Sequence, residues 1–577
     1  MKKVLNIVLI LSIKLLCFSC SDDVLDKQPL GLISDESVWQ DENLVNLKLN
    51  EVYKESLFLL NTGNKGFNAG LDGNMAGEFK NYAGWQAPVK AATGVIDQTG
   101  NPARVLQYWG YSTLRDMNTI IFNLENISEL DEDFKADKIA ETRFLRAYLF
   151  FQMVKRYGGV PIITTPQSLN DSAEELFVSR NTEQEVYDFI ISETDAISKV
   201  LPPNPSQGRP SKWAALALKS RAALYAGSIG EYGSIQLDGI LGINNPEKYW
   251  QIAYQASKEI INESEHVLFT KYTDKVKNFQ QLFIEEEDNP EIIFSEAYDA
   301  TLNSHNWSFI AIPQPFDSGW ASNFFVFYDI VELFDFADGT SGKVDRNSID
   351  GKEIDADVFF GTRDPRFIAS IFYPGSAWMG SNVYFHDNTI NANDAPEDWE
   401  NRAPAKNRNL SNGTGLLVRK RIDESEIHPD AGADDTDYIV FRLGEIYLNL
   451  AEAAFHLPGK QSEALTAINT IRNRAGMPER KELTMENIQQ ERRVELFAED
   501  QAYWDLRRWR IAKQVLDGVA LKGLKYTYNG TTGKYKLEIR RGESTGSRVF
   551  QDRHYYLPLT VSRTNDNPNL KENPGYE

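Results

Sequence analysis

The stretch from Leu443 to Ala475 constrains the fold more than any other part of the chain. Leu443, Ile446, Tyr447, Leu450, Ala451 and Ala454 recur at three- and four-residue spacing, and a second stripe follows Pro458-Gly459 at Ala464, Ile468, Ile471 and Ala475. This spacing puts each set on one face of a helix, and the Pro-Gly break between them makes two helices that turn back on each other. Alanines on the contact faces let the axes approach closely, as in tetratricopeptide-like pairs, although no strict repeat consensus runs through the chain.

A second helical block lies upstream. Ile139, Ala140, Phe144, Ala147, Phe151 and Val154 form one buried face that ends at Gly158-Gly159, with Pro161 beyond. Helices are also predicted over Val105 to Ile127, over Thr182 to Val200 with Thr182 and Glu185 as a capping box, over Ser211 to Ala226, and over Pro246 to Ser264. Met485 to Ile511 reads as one long charged helix. Between the blocks the texture changes: helical stripes become scarce, and Gly, Pro, Asn and Asp cluster, as in Asp387 to Asn412. Glu291 to Phe294 and Phe367 to Phe372 fit short strands or short helices, and Asn61 to Asn101 is likewise Gly-rich, polar and aromatic-bearing. The expected fold class is mainly α, with a helical scaffold over residues 37–266 and 438–515 and a loop-rich insertion at about 267–437. Long loops on a helical scaffold are where binding residues concentrate.

The N-terminus reads as an export signal. Lys2 and Lys3 precede an apolar run from Val4 to Ile13, too short to span a bilayer, and Lys14 interrupts its tail. Both cysteines of the chain, Cys17 and Cys20, follow at once, which leaves the body without material for a disulfide or a cysteine metal site. Ser19-Cys20 resembles a bacterial lipobox, with residues 1–19 as leader and Cys20 as the lipidated first residue of a single domain spanning 20–577. Cys17 stands where such a motif usually has Leu, so a conventional signal peptide cleaved nearby is the alternative. No later run is long and apolar enough to span a bilayer.

Charge narrows the partners. With 61 Lys and Arg against 83 Asp and Glu, the net charge is −22, so nucleic acid is disfavoured as a ligand. Neutral ligands and protein partners remain open.

Further motifs carry a resemblance. The run Arg442-Leu-Gly-Glu-Ile-Tyr-Leu-Asn-Leu-Ala-Glu-Ala453 is followed by Ala464 to Gly476, by Glu491-Arg-Arg-Val-Glu-Leu496 and by Tyr503-Trp-Asp-Leu-Arg-Arg-Trp509. Earlier come Thr142 to Tyr148, Tyr157-Gly-Gly-Val-Pro161, Gly208-Arg-Pro-Ser-Lys212 and Asp364-Pro-Arg-Phe367; the chain closes with Asn567-Pro-Asn-Leu570 and Asn573-Pro-Gly-Tyr576. In order and spacing these resemble the SusD/RagB family of Bacteroidetes outer-membrane lipoproteins, over essentially the whole chain. The resemblance implies a SusD-like helical fold with an irregular ligand-binding side and a glycan ligand. It also implies a TonB-dependent transporter of the SusC type as partner, over which the lipoprotein sits as a lid at the outer membrane. Part of the family serves peptide import, which keeps peptide as the alternative ligand. Phe497-Ala-Glu-Asp-Gln501 departs from the Phe-Glu-Gly-like turn that the family more often has there.

The residues themselves offer few signs of catalysis. Glu491, Arg492, Arg493 and Glu495, joined by Asp505, Arg507 and Arg508, supply carboxylates as a surface glycoside hydrolase would need. Arginine partners lower a carboxylate pKa, however, whereas a general acid needs it raised, so ion pairs tying helices together are the expectation. Glu285 to Asn289 with Asp335, Asp338 and Asp345 raises the question of a structural calcium ion, but no full EF-hand loop appears and a solvated loop is expected. The six histidines are scattered, and no metal or cofactor is expected.

Sugar recognition needs a flat apolar face beside amide or charged groups. Tyr82 and Trp85 sit among Asp72, Asn74, Lys80 and Asn81; Trp307 and Trp320 sit near His305, Asn306, Gln314 and Asn323. Trp85, Trp320, Tyr82, Trp307, Asn81 and Asp72 are therefore the expected ligand-binding residues, with Trp378 after Pro374-Gly375 in reserve.

Overall fold

The computed structural model describes residues 35–56, 70–313, 322–390, 413–425, 430–543 and 546–577. Cys20, the predicted leader and Trp320 lie outside them. The fold is mainly helical. Its scaffold comprises Glu42–Ser56, Tyr111–Asn126, Glu132–Tyr157, Glu183–Ile197, Lys212–Tyr232, Pro246–Glu263, Leu443–His456 and Gln461–Ala475. Lys212–Tyr232 packs on Pro246–Glu263, which packs in turn on Leu443–His456, and that helix packs on Gln461–Ala475. The two helical blocks of the sequence thus form one stack. Small side chains make the approach possible: Ala214, Ala217, Ala222, Ala253, Ala451, Ala454, Ala464 and Ala467 are all buried.

Local chemistry sets the ends of these helices. Thr182 Oγ1 accepts from the Glu185 backbone nitrogen while the Glu185 carboxylate returns to that of Thr182, the reciprocal cap expected from the sequence. Glu132–Tyr157 stops at Gly158, whose φ of 73° disfavours other residues and where a Cβ would lie 2.3 Å from Leu241 Cδ2.

Two expectations need correction. Met485 to Ile511 is not one helix. It breaks into Met485–Glu495 and Ala502–Arg508, because Ala498 and Asp500 adopt left-handed φ values of 57° and 58°. The insertion at 267–437 is also more than loops. Phe79–Asn81, Phe324–Val326, Leu417–Val418 and Ile371–Phe372 form a sheet in that order, and a hairpin of Lys522–Asn529 and Lys534–Arg541 centres another. Phe324, Phe327, Phe334, Phe367, Leu417, Tyr526 and Leu537 pack there into a second core, separate from that of the helices. The strands of the first sheet have only two or three residues each, too few for alternation to be read, so that part of the region looks like loops in sequence.

Buried charge joins the segments around this boundary. Arg442 donates to Glu291 Oε1 at 2.9 Å, to Glu495 Oε1 at 2.7 Å and to Glu499 Oε2 at 2.8 Å. Arg366 reaches Glu495 at 3.0 Å and Glu491 at 2.7 Å, and Arg474 reaches Glu291 at 2.9 Å and also Glu495. Every one of these groups is buried. Burial pushes the Glu495 carboxyl up, but Arg474, Arg442 and Arg366 outweigh it and hold it well below the usual carboxylate range. Burial likewise opposes the lowering at Glu491, where Arg366 and Arg472 prevail. These carboxylates stay ionised, the opposite of what a general acid requires.

Candidate functional site

The short sheet places the most exposed indole of the described residues. Phe79–Asn81 runs antiparallel to Phe324–Val326, with Asn81 opposite Phe324. Past that rung one chain leaves as residues 82–86 and the other arrives through Ser322 and Asn323. Asn323 Oδ1 accepts from the Tyr82 backbone nitrogen at 3.0 Å and from Gln86 Nε2 at 3.3 Å. Gln86 Oε1 accepts from the Ala83 nitrogen at 2.8 Å, and the Gln86 nitrogen returns to Ala83 O at 3.0 Å. The 82–86 loop is thereby cinched around two buried amides, and Trp85 projects from it 60% exposed. Among the described tryptophans it alone is exposed. Tyr82 is half-buried at its base, against the second core.

The same fastening anchors the segment that carries Trp320. The Ser322 nitrogen donates to Ile312 O at 2.9 Å and that of Asn323 to Ile310 O at 3.1 Å. Ser322 and Asn323 thus sit against Ile310 and Ile312 beside Tyr82 and Gln86, while Trp320 itself lies outside the described residues.

Three expected contacts lie elsewhere. Trp307 is 1% exposed, donates its indole N–H to Lys420 O at 2.9 Å and packs 4.8 Å from the Phe324 ring, so it belongs to the second core. Asn81 is fully buried; its backbone nitrogen donates to Asn74 Oδ1 at 3.0 Å, and its side chain accepts from Asn74 Nδ2. Asp72 is buried in the helix Leu71–Ala76, where burial raises its carboxyl despite Lys155 and Arg156 nearby. Both polar residues are buried and do not face solvent. Trp378 is also buried. Gln86 and Asn323, which position the loop, stood in the sequence only as amides near aromatics. Their pairing across the chain has no local signal.

Several of the acidic residues considered for calcium have other partners. Glu285 pairs with Lys271 at 2.5 Å, Asp335 lies 3.3 Å from Arg480, and Asp345 caps the short helix Arg346–Ile349. Among the described residues no three His, Cys, Asp or Glu side chains are grouped to hold a metal ion, and no helix is long and apolar enough to cross a membrane.

A helical-pair scaffold with short sheets that present an aromatic loop is the architecture of a known class. The SusD family model matches residues 290–576, and a second model, described as starch-binding and associating with the outer membrane, matches residues 39–224. The chain belongs to the SusD/RagB family. A SusD-like protein of Formosa agariphila is 26% identical over 551 residues, covering 89% of this chain and 91% of its own. The starch-binding protein SusD of Bacteroides thetaiotaomicron is 31% identical over 144 residues, 25% of this chain and 22% of that one. A SusD-like protein of Bacteroides fragilis shares the fold with a TM-score of 0.71 at 25% identity, covering 95% of this chain and all of its own. A SusD-like carbohydrate-binding protein of the same species gives a TM-score of 0.70 at 22% identity, over 93% of this chain and all of that one.

Proposed function

We propose that this chain binds a glycan at the cell surface and passes it, without cleaving it, to a SusC-type TonB-dependent transporter. It is held at the outer membrane by lipid on Cys20. The observation that carries the reading is the exposed Trp85 on a loop fastened from below by Gln86 and Asn323. An exposed indole on a fastened loop offers a stacking surface for a sugar ring, and a loop already fixed has less ordering to lose on binding. Family membership supports carbohydrate as the ligand class, and the ionised, arginine-clamped Glu491 and Glu495 argue against hydrolysis. The N-terminal signal and Ser19-Cys20 support the anchor. Calorimetry of the purified protein against neutral oligosaccharides, with peptides in parallel, tests the ligand class: binding that Trp85→Ala weakens supports glycan, and binding of peptides alone rejects it. Release of reducing ends would reject the non-catalytic role. Cys20→Ala should move the protein out of the membrane fraction.

A further inference from the structure

Away from the Trp85 loop, residues 203–209 meet the strand Ile292–Glu296 and the helix Glu42–Ser56 in a cleft. Gln207, Gly208 and Arg209 form a ridge that divides it into cavities of about 710 and 670 Å³. Each lies within the range of small-molecule sites.

The walls are built from polar groups with fixed positions. Arg209 donates to Glu141 Oε1 at 2.6 Å and to Asn50 Oδ1 at 2.5 Å, and its guanidinium lies over the Tyr53 ring at 4.7 Å. Tyr53 donates to the same Glu141 oxygen at 2.6 Å. The arginine is therefore neutralised within the wall and is not poised to seize an anion. Asp437 is bound by Ser295 Oγ at 2.8 Å, by Gln207 Nε2 at 3.3 Å and by the Tyr298 nitrogen at 2.9 Å. Glu296 lines the smaller cavity, yet its Oε2 is buried and accepts no hydrogen bond.

We propose that this cleft is a second carbohydrate site, which takes an uncharged segment of the glycan chain. The inference rests on the glycan reading above and adds a separate contact surface to it. Glu287 and Asp288 line the larger cavity and disfavour anionic chains. Burial pushes the Glu296 carboxyl up to about 8, against the Tyr298 hydrogen bond, and Glu286 up to about 7. A carboxyl in its neutral form both donates and accepts, which matches a sugar hydroxyl better than an ammonium group.

Maltoheptaose, laminarihexaose, cellohexaose, mannohexaose and xylohexaose, titrated singly by calorimetry, test the proposal. At least one should give two binding events. Trp85→Ala should remove one. Ser206→Trp, which fills the larger cavity from an exposed position, should weaken the other by about tenfold or more. Glu296→Leu should do the same while Glu296→Gln retains it, with melting curves showing that each variant is folded. A single event indifferent to Ser206→Trp and Glu296→Leu overturns the second site and leaves the Trp85 reading standing. No binding by any of the five sugars overturns both.

Discussion

Asn323 Oδ1 lies 3.0 Å from the backbone nitrogen of Tyr82, a residue 241 positions earlier. One amide thereby ties the loop bearing Trp85 to the stem of the 313–321 segment. Asn323→Ala leaves that nitrogen unmatched and takes one acceptor from the Gln86 amide, at a stability cost of about 1–3 kcal/mol. Glycan affinity should fall along with it although Asn323 is only 5% exposed. Calorimetry beside a melting curve checks this; unchanged affinity in a folded variant would show that the loop holds its shape without the bracket.

Trp85 and Trp307 should behave as opposites. Trp307→Ala opens a cavity in the second core and strands Lys420 O, at about 3–5 kcal/mol of stability. Trp85→Ala should leave the denaturation midpoint nearly where it was and weaken sugar binding. A large stability loss at Trp85 would assign that ring to packing.

Glu78 predicts a pH dependence. Its carboxyl is buried, and burial outweighs Arg493 and the Ala498 N–H to raise its pKa to about 8. Between about 4.5 and 8 the unfolded chain has released this proton and the folded one still holds it. Glu78 therefore makes the protein less stable as pH rises through that window, by at most about 1.4 kcal/mol per unit. Glu78→Gln keeps the shape and loses the proton linkage. The variant should gain on the parent in urea titrations from about pH 5 to 8, and parallel curves for the two would refute the assignment.

Ala498 holds a φ of 57° at a buried turn. The left-handed region costs a residue with a Cβ about 1–2 kcal/mol, and glycine avoids it at an entropic penalty of about 0.5–1 kcal/mol. Ala498→Gly should therefore be neutral to stabilising by up to about 1.5 kcal/mol. Nearly any other buried alanine changed to glycine would destabilise, so a clear loss at 498 would mean that the methyl group matters more to packing than the backbone does.

The helical scaffold was legible because its signals are local: stripes at Leu443 to Ala475 and a cap at Thr182 repeat within one or two turns. The break at Ala498 and Asp500 was not, since neither residue advertises a left-handed conformation. The sequence did mark the spot, as a turn lacking the glycine usual for the family. At the site, Trp85 could be read from an indole in a polar stretch. Trp307 looked alike in sequence and differs only because Lys420 and Phe324 enclose it from far along the chain. Asn81 and Asp72 were misplaced for the same reason: a polar side chain in a glycine-rich run can face water or brace a turn, and only the tertiary partners decide.

The knot of Arg366, Arg442 and Arg474 with Glu291 and Glu495 has a consequence for how such a protein can change over generations. Replacing any one member strands a buried charge, so most single substitutions there carry a penalty of about 3–5 kcal/mol and compensation needs two simultaneous changes. The loop after Asn81 is held instead at its base by the amides of Gln86 and Asn323, which leaves its outward positions open to change. Drift is thus channelled away from the scaffold and into the surface that meets the ligand. A lineage built this way can acquire a taste for a new sugar one mutation at a time while its frame stays put.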